Sequence, residues 1–111
     1  MIKVVFEQED DYILAFSSKG HAGLAAEGED IVCAAVSALL FSVVNTLDHY
    51  RAMIDLRMSD KGYLRCEIKE GHRDKEIQAI LQVAKVGIDS IVQEYSQYIS
   101  VVVIDRRIMS C

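Results

Sequence analysis

His21 and Cys33 stand twelve residues apart, the histidine in Gly20-His21-Ala22 and the cysteine in Gly28-Glu29-Asp30-Ile31-Val32-Cys33-Ala34. Cys33 opens a long apolar segment that reads as a helix. A thiol at a helix start gains from the positive end of the helix dipole, and the thiolate is the nucleophilic form. An imidazole within reach takes the thiol proton and later returns it to a leaving amine. Backbone N–H groups of a first helical turn lack intrahelical partners, so they are candidates for holding an oxyanion. Gly20 and Gly28 let the backbone approach a substrate closely.

Two further side chains belong to this constellation. Asp30 has two competing roles: an N-cap for the helix that carries Cys33, placing Cys33 at the third helical position, or an orienter that hydrogen-bonds His21. Ser37 follows Cys33 by four residues and shares its helical face. Its hydroxyl can reach the sulfur, a substrate backbone group or its own helix carbonyl. Taken alone, the His–Cys pair also fits a small core cysteine and a solvated loop histidine.

The elements that would position these groups follow from pattern. Ile2–Glu7 and Tyr12–Lys19 are expected as strands, with Tyr12, Leu14 and Phe16 on one face and a hairpin through Gln8–Asp11. Ser18 to Glu29, rich in glycine and alanine, is expected as a mobile loop. A helix is expected from Ile31 to about Met53, its first half buried. Ile54–Met58 and Tyr63–Lys69 form a second hairpin, with Cys66 facing the core beside Leu64 and Ile68. A second helix runs from about Asp74 to Tyr98 on one apolar stripe. Ile99–Ile104 is apolar on both faces, which suits a central strand or a subunit contact. The order is β-β-α-β-β-α-β: an α/β (α+β) layered sandwich of about five strands with two long helices packed on the sheet.

The 111 residues argue for a single domain, 1–111. The net charge of −5 disfavours direct nucleic-acid binding, which needs a basic face. Arg106-Arg107 is too short a basic run to change that. The acidic run after Phe6 is unlike a signal peptide, and Ile31–Val44 is short for a bilayer. No membrane association and a cytoplasmic location are therefore expected. Three cysteines without CxxC spacing indicate neither a disulfide scaffold nor a zinc ribbon, and the scattered His21, His49 and His72 make no metal site. Met53, Met58 and Met109 read as core gap-fillers.

Gly20-His21-Ala22, Gly28-x-Asp30-Ile31-Val32-Cys33-Ala34-Ala35, Ser37-Ala38, Leu40-Phe41 and Val44-Asn45 resemble the signature of the ribosomal-processing cysteine proteases, the Prp family. The similarity is dense over residues 20–45, fainter at Glu94-Tyr95, and the element order fits nearly the whole length. The resemblance implies that His21 and Cys33 are catalytic and that Asp30 and Ser37 occupy the family's other characteristic polar positions. It implies a bacterial, cofactor-free, homodimeric endopeptidase. Such an enzyme removes the N-terminal extension of a large-subunit ribosomal protein after a pair of aromatic residues and so enables ribosome assembly. The alternatives are a non-catalytic dimeric module that binds a peptide or ribosomal protein and keeps a structural cysteine, and a thiol redox sensor built on Cys33.

Overall fold

Residues 1–20, 29–60 and 62–109 are described by the structure, a computed structural model. In β1 (Ile2–Glu9), Ile2, Val4 and Phe6 are buried while Lys3 is exposed, the period of two that lays one strand face on a core. Asp10 and Asp11, both with positive φ (53° and 67°), turn the chain into β2 (Tyr12–Lys19). Two consecutive left-handed residues make the two-residue turn whose twist suits antiparallel strands. β1 therefore continues to Glu9 instead of stopping at Glu7.

The expected inward face of β2 is shifted by a bulge. Glu7 pairs with Ala15, but Gln8 pairs with Ile13, leaving Leu14 as an extra residue. Ile13 therefore joins Phe16 in the core cluster, while Leu14 is buried outside it and Tyr12 is half-buried. The Gln78 side chain covers the irregularity. The Ile13 N–H donates to Gln78 Oε1 (2.9 Å), and Gln78 Nε2 donates to the carbonyls of Ile13 (2.9 Å) and His72 (2.6 Å).

The first helix, α1 (Glu29–His49), begins earlier and ends sooner than expected. Its end is set by Arg51 at φ 60°: the Arg51 N–H donates to Asp48 O and the Ala52 N–H to Leu47 O, each at 2.9 Å. This pair of bonds closes a helix on a left-handed residue, so the chain passes directly into β3 (Met53–Ser59). Val32, Val36, Leu40, Val43, Val44 and Leu47 are buried, but Ile31 is 62% exposed and Phe41 39%. The expected full burial of the first half is thus corrected to one buried stripe. The stretch Ile31–His49 is long and apolar enough to cross a membrane by length and composition, contrary to the shorter stretch read from sequence. Here that stripe packs on the sheet.

After β4 (Tyr63–Glu70), Asp74 caps α2 (Lys75–Tyr95), its carboxylate accepting the N–H groups of Glu76 (2.8 Å) and Ile77 (3.2 Å). Leu81, Ala84 and Ile88 form its buried stripe. A Cβ on Gly87 would stand 2.6 Å from a Leu39 methyl of α1, so a larger residue there must displace the Leu39 side chain. β5 (Ile99–Asp105) and a short α3 (Arg106–Met109) complete the chain.

The sheet order is β3-β4-β2-β1-β5, with β5 parallel to β1 and the other pairs antiparallel. The layered α+β architecture is as expected, with both long helices on one face over a single core. The position of β5 corrects the central-strand reading. It is an edge, with Val102 39% and Val103 44% exposed. On the opposite face, Arg65 reaches Glu67 (2.7 Å) and Glu7 (2.9 Å), and Arg106 reaches the same two carboxylates (3.5 and 3.1 Å). Ala15, paired with both Glu7 and Glu67, is fully buried beneath these charges. The Arg65 hydrogen bond, reinforced by the charge of Arg106, holds the Glu67 carboxyl below its usual range despite some desolvation.

Candidate active site

β2 delivers the chain to the site. Its last residues, Ser18 and Lys19, pair with Leu64 and Tyr63 of β4, and Gly20 follows at φ 99°. A Cβ there would lie 2.5 Å from the Met1 carbonyl oxygen. Conformation and the close approach to the start of β1 both require glycine here. Ser18, expected to open a loop, belongs with Lys19 to β2. His21 and Gly28 lie outside the described residues.

Because α1 starts at Glu29, Asp30 falls in its first turn and not at the preceding cap position. The choice between its two roles rests on a carboxylate outside the described part of the chain. The same start makes Cys33 the fifth helical residue and not the third. In α-helical geometry its N–H then faces the Glu29 carbonyl, which removes it from the expected oxyanion donors. Side chains tilt toward the helix N-terminus, so the sulfur still overlies the first turn.

Cys33 is half-buried and lines a cavity of about 130 Å³. Cys33, Ser37 and Phe41, at steps of four, form the helix wall of this cavity. Ile2, Ser18 and Leu64 supply the sheet side, and Met58, Ser59, Gly62 and Tyr63 supply the far wall from the β3–β4 hairpin. The structure thus brings Gly20, Cys33 and Ser37 to one place. Other helical hydroxyls bond back to their own helix: Ser42 to Ala38 O (2.7 Å), Thr46 to Ser42 O (2.7 Å) and Ser90 to Val86 O (2.9 Å). Ser37 makes no such bond among the described residues, which leaves its hydroxyl to the cavity.

Met58, Tyr63 and Ser18 are among the lining residues not read from the sequence as part of a site. Met58 is 53% exposed on the cavity wall and Met53 is 52% exposed, so neither fills a core gap. Tyr63 enters through the turn that folds the hairpin under α1. Ser18 is the polar residue at an inward position of a strand, a signal the alternation Phe16–Ser18 did carry. Cys66 is buried as expected, and burial pushes its thiol up to about 11. His49 is exposed against Tyr50, and His72 packs edge-on to Tyr12. Among the described residues no cluster of three His, Cys, Asp or Glu side chains is placed to hold a metal.

A model of the cysteine protease Prp family matches residues 1–100. The ribosomal processing cysteine protease Prp of Bacillus subtilis is 30% identical over 108 residues, covering 91% of this chain and 96% of that protein. A crystal structure of the essential ribosomal processing protease Prp from Staphylococcus aureus with a substrate peptide superposes with a TM-score of 0.85. It is 29% identical, over 93% of this chain and 99% of that one. The same enzyme with a covalently linked product peptide gives 0.82 at 30% identity, with the same coverage. The crystal structure of SMU.848 from Streptococcus mutans gives 0.87 at 26% identity over 95% of each chain. Sequence and fold agree along almost the entire length, and the chain belongs to the Prp family of cysteine proteases.

Proposed function

We propose that this protein removes the N-terminal extension of a large-subunit ribosomal protein in the bacterial cytoplasm, with Cys33 as nucleophile and His21 as general base and acid. The observation that carries the reading is the half-buried Cys33 opening, with Ser37, into an apolar cavity at the end of the strand that leads to His21. His21 takes the thiol proton, and the sulfur adds to the scissile carbonyl carbon. The C–N bond then breaks as the imidazolium protonates the departing amine. Water, deprotonated by the same imidazole, attacks the thioester carbonyl, and the C–S bond breaks to return the thiolate. A covalent link between enzyme and product, as in the Staphylococcus aureus structure, is the kind of species such a nucleophile forms.

In this reading Ser37 hydrogen-bonds the substrate, Gly20 fixes the backbone entering His21, and Asp30 either supports the first turn of α1 or orients His21. The protein acts as a homodimer, for which the exposed edge strand β5 is the natural contact. The test is incubation with a peptide spanning the N-terminal extension, followed by mass analysis beside Cys33→Ala. A single cut by wild type alone supports the reading. Binding without a cut by either protein supports the non-catalytic module instead.

A further inference from the structure

The net charge of −5 is unevenly spread over this chain. On the open face of the sheet, away from the helices, paired residues of neighbouring strands stand side by side in rows. The row nearest the start of β1 sets Lys3 directly against Lys19, with Ser100 beside Lys3. The next row runs from Val5 and Ser17 to Arg65 and Arg57. Neither row holds a carboxylate. Carboxylates begin only in the third, where Glu7, Ala15, Glu67 and Asp55 pair in turn. Arg65 reaches back to Glu67 and Glu7, and Arg57 touches Asp55 at 3.4 Å from a largely exposed side chain. Lys3 and Lys19 are exposed and make no ion pair among the described residues. Like charges held directly opposite one another destabilise a sheet, so stability does not account for this pair. Edge protection does not account for it either, because β1 and β2 lie inside the sheet.

We propose that this end of the open face is a docking surface for the phosphate backbone of RNA, with Lys3, Lys19 and Arg57 meeting phosphates. The strand order β3-β4-β2-β1 places Arg57, Arg65, Lys19 and Lys3 on four neighbouring strands, one cation from each. At about 4.8 Å per strand this line extends for about 14 Å, which suits an extended polyanion better than a single small anion. Lysine, arginine and serine are the side chains that contact phosphate oxygens, and such contacts carry no sequence information. RNA, and not an acidic protein, is the polyanion that surrounds a ribosomal-protein precursor, a choice that rests on the function proposed above. Cys33 and its cavity lie on the helix side of the sheet, so RNA on the open face leaves the thiol accessible to a peptide.

Fluorescence anisotropy with a labelled, mixed-sequence single-stranded RNA tests this. Wild type is expected to bind with a micromolar Kd at low salt and to weaken steeply as salt rises. In Lys3→Gln/Lys19→Gln the plot of log Kd against log salt should be shallower by about 1.4, two phosphate contacts at about 0.7 each. Arg51→Gln/Lys75→Gln removes the same charge elsewhere and should match wild type. No RNA binding by wild type, a slope unchanged in Lys3→Gln/Lys19→Gln, or tighter binding of poly-glutamate than of RNA overturns the proposal. Cleavage of the free precursor peptide is scored separately and should be the same for wild type and both variants. Cleavage without RNA binding overturns the RNA surface alone, and RNA binding without cleavage overturns the protease reading alone.

Discussion

Ser37 lies one helical turn beyond Cys33 on α1 and opens with it into the same cavity, yet among the described residues it alone of the serine and threonine hydroxyls in α1 and α2 is not bonded to the carbonyl four residues back. The hydroxyl that helix geometry would have absorbed faces the cavity, where the proposed function seats the substrate. Ser37→Ala is expected to lower kcat/KM about tenfold, the effect of one lost substrate hydrogen bond. Stability should stay within about 0.5 kcal/mol, as for an exposed helix position. Ser42→Ala is the control and should leave kinetics unchanged. Unaltered kinetics for Ser37→Ala would make it an ordinary exposed serine.

The two described cysteines should differ sharply toward an alkylating reagent. Cys33 is half-buried at the cavity, whereas Cys66 is fully buried, its thiol pushed from 9.0 to about 11. Iodoacetamide at neutral pH should modify Cys33 and leave Cys66 intact until the protein unfolds, as read by peptide mapping. The alkaline sign follows. A thiol whose pKa is raised in the fold contributes stability fully present below the unfolded value, and that contribution is lost as pH rises from about 9 toward 11. Cys66→Ala should flatten this alkaline limb.

The acid limb should carry the signature of Glu67. Its hydrogen bond to Arg65 depresses its carboxyl in the fold. Its contribution is therefore present above the unfolded value of 4.5 and is lost as pH falls through the lower folded value. Glu67→Gln should lower the melting temperature near neutrality, where the contribution is present, and its difference from wild type should shrink as pH falls below 4.5. An acid limb unchanged by Glu67→Gln would show that the four-membered charge cluster gives no differential protonation.

Gln78→Ala should separate stability from activity. The substitution leaves the bulged Ile13 peptide group without both of its side-chain partners, at a cost of about 2 kcal/mol. Ile13 stands at the opposite end of β2 from Ser18 and Gly20. Chemical denaturation should show the loss, and kcat/KM measured well below the melting temperature should be unchanged.

Much of this molecule was legible in its residues because two periodicities dominate it. Alternation in Ile2–Phe6 and Leu64–Ile68, and the stripe of α2, led directly to the element order. Three things escaped. The Leu14 bulge adds one residue to a strand without changing its composition, so the face of Tyr12 and Leu14 was misassigned. The αL stop at Arg51 was invisible because a non-glycine residue rarely marks a helix end. β5 was apolar on both faces yet lies at an edge, because an apolar run does not by itself show how many sides of a strand are paired. At the site, Cys33 and Gly20 stood out by type and spacing, and Ser37 through the resemblance. Met58 did not, since only the fold brings the β3–β4 hairpin to the cavity wall, whereas Ser18 carried an unused signal as a polar residue at an inward strand position.

The central claim is that Cys33 forms a covalent bond to the substrate carbonyl, and rapid acid quenching followed by intact-protein mass spectrometry tests it most directly. During turnover of the precursor peptide, wild type should show a species heavier by one acyl fragment, mapped to Cys33 and chased away by further reaction with water. Cys33→Ala should show neither adduct nor cut, while retaining its fold by circular dichroism. Cleavage that persists in Cys33→Ala, or an adduct mapped to any other residue, would contradict the account.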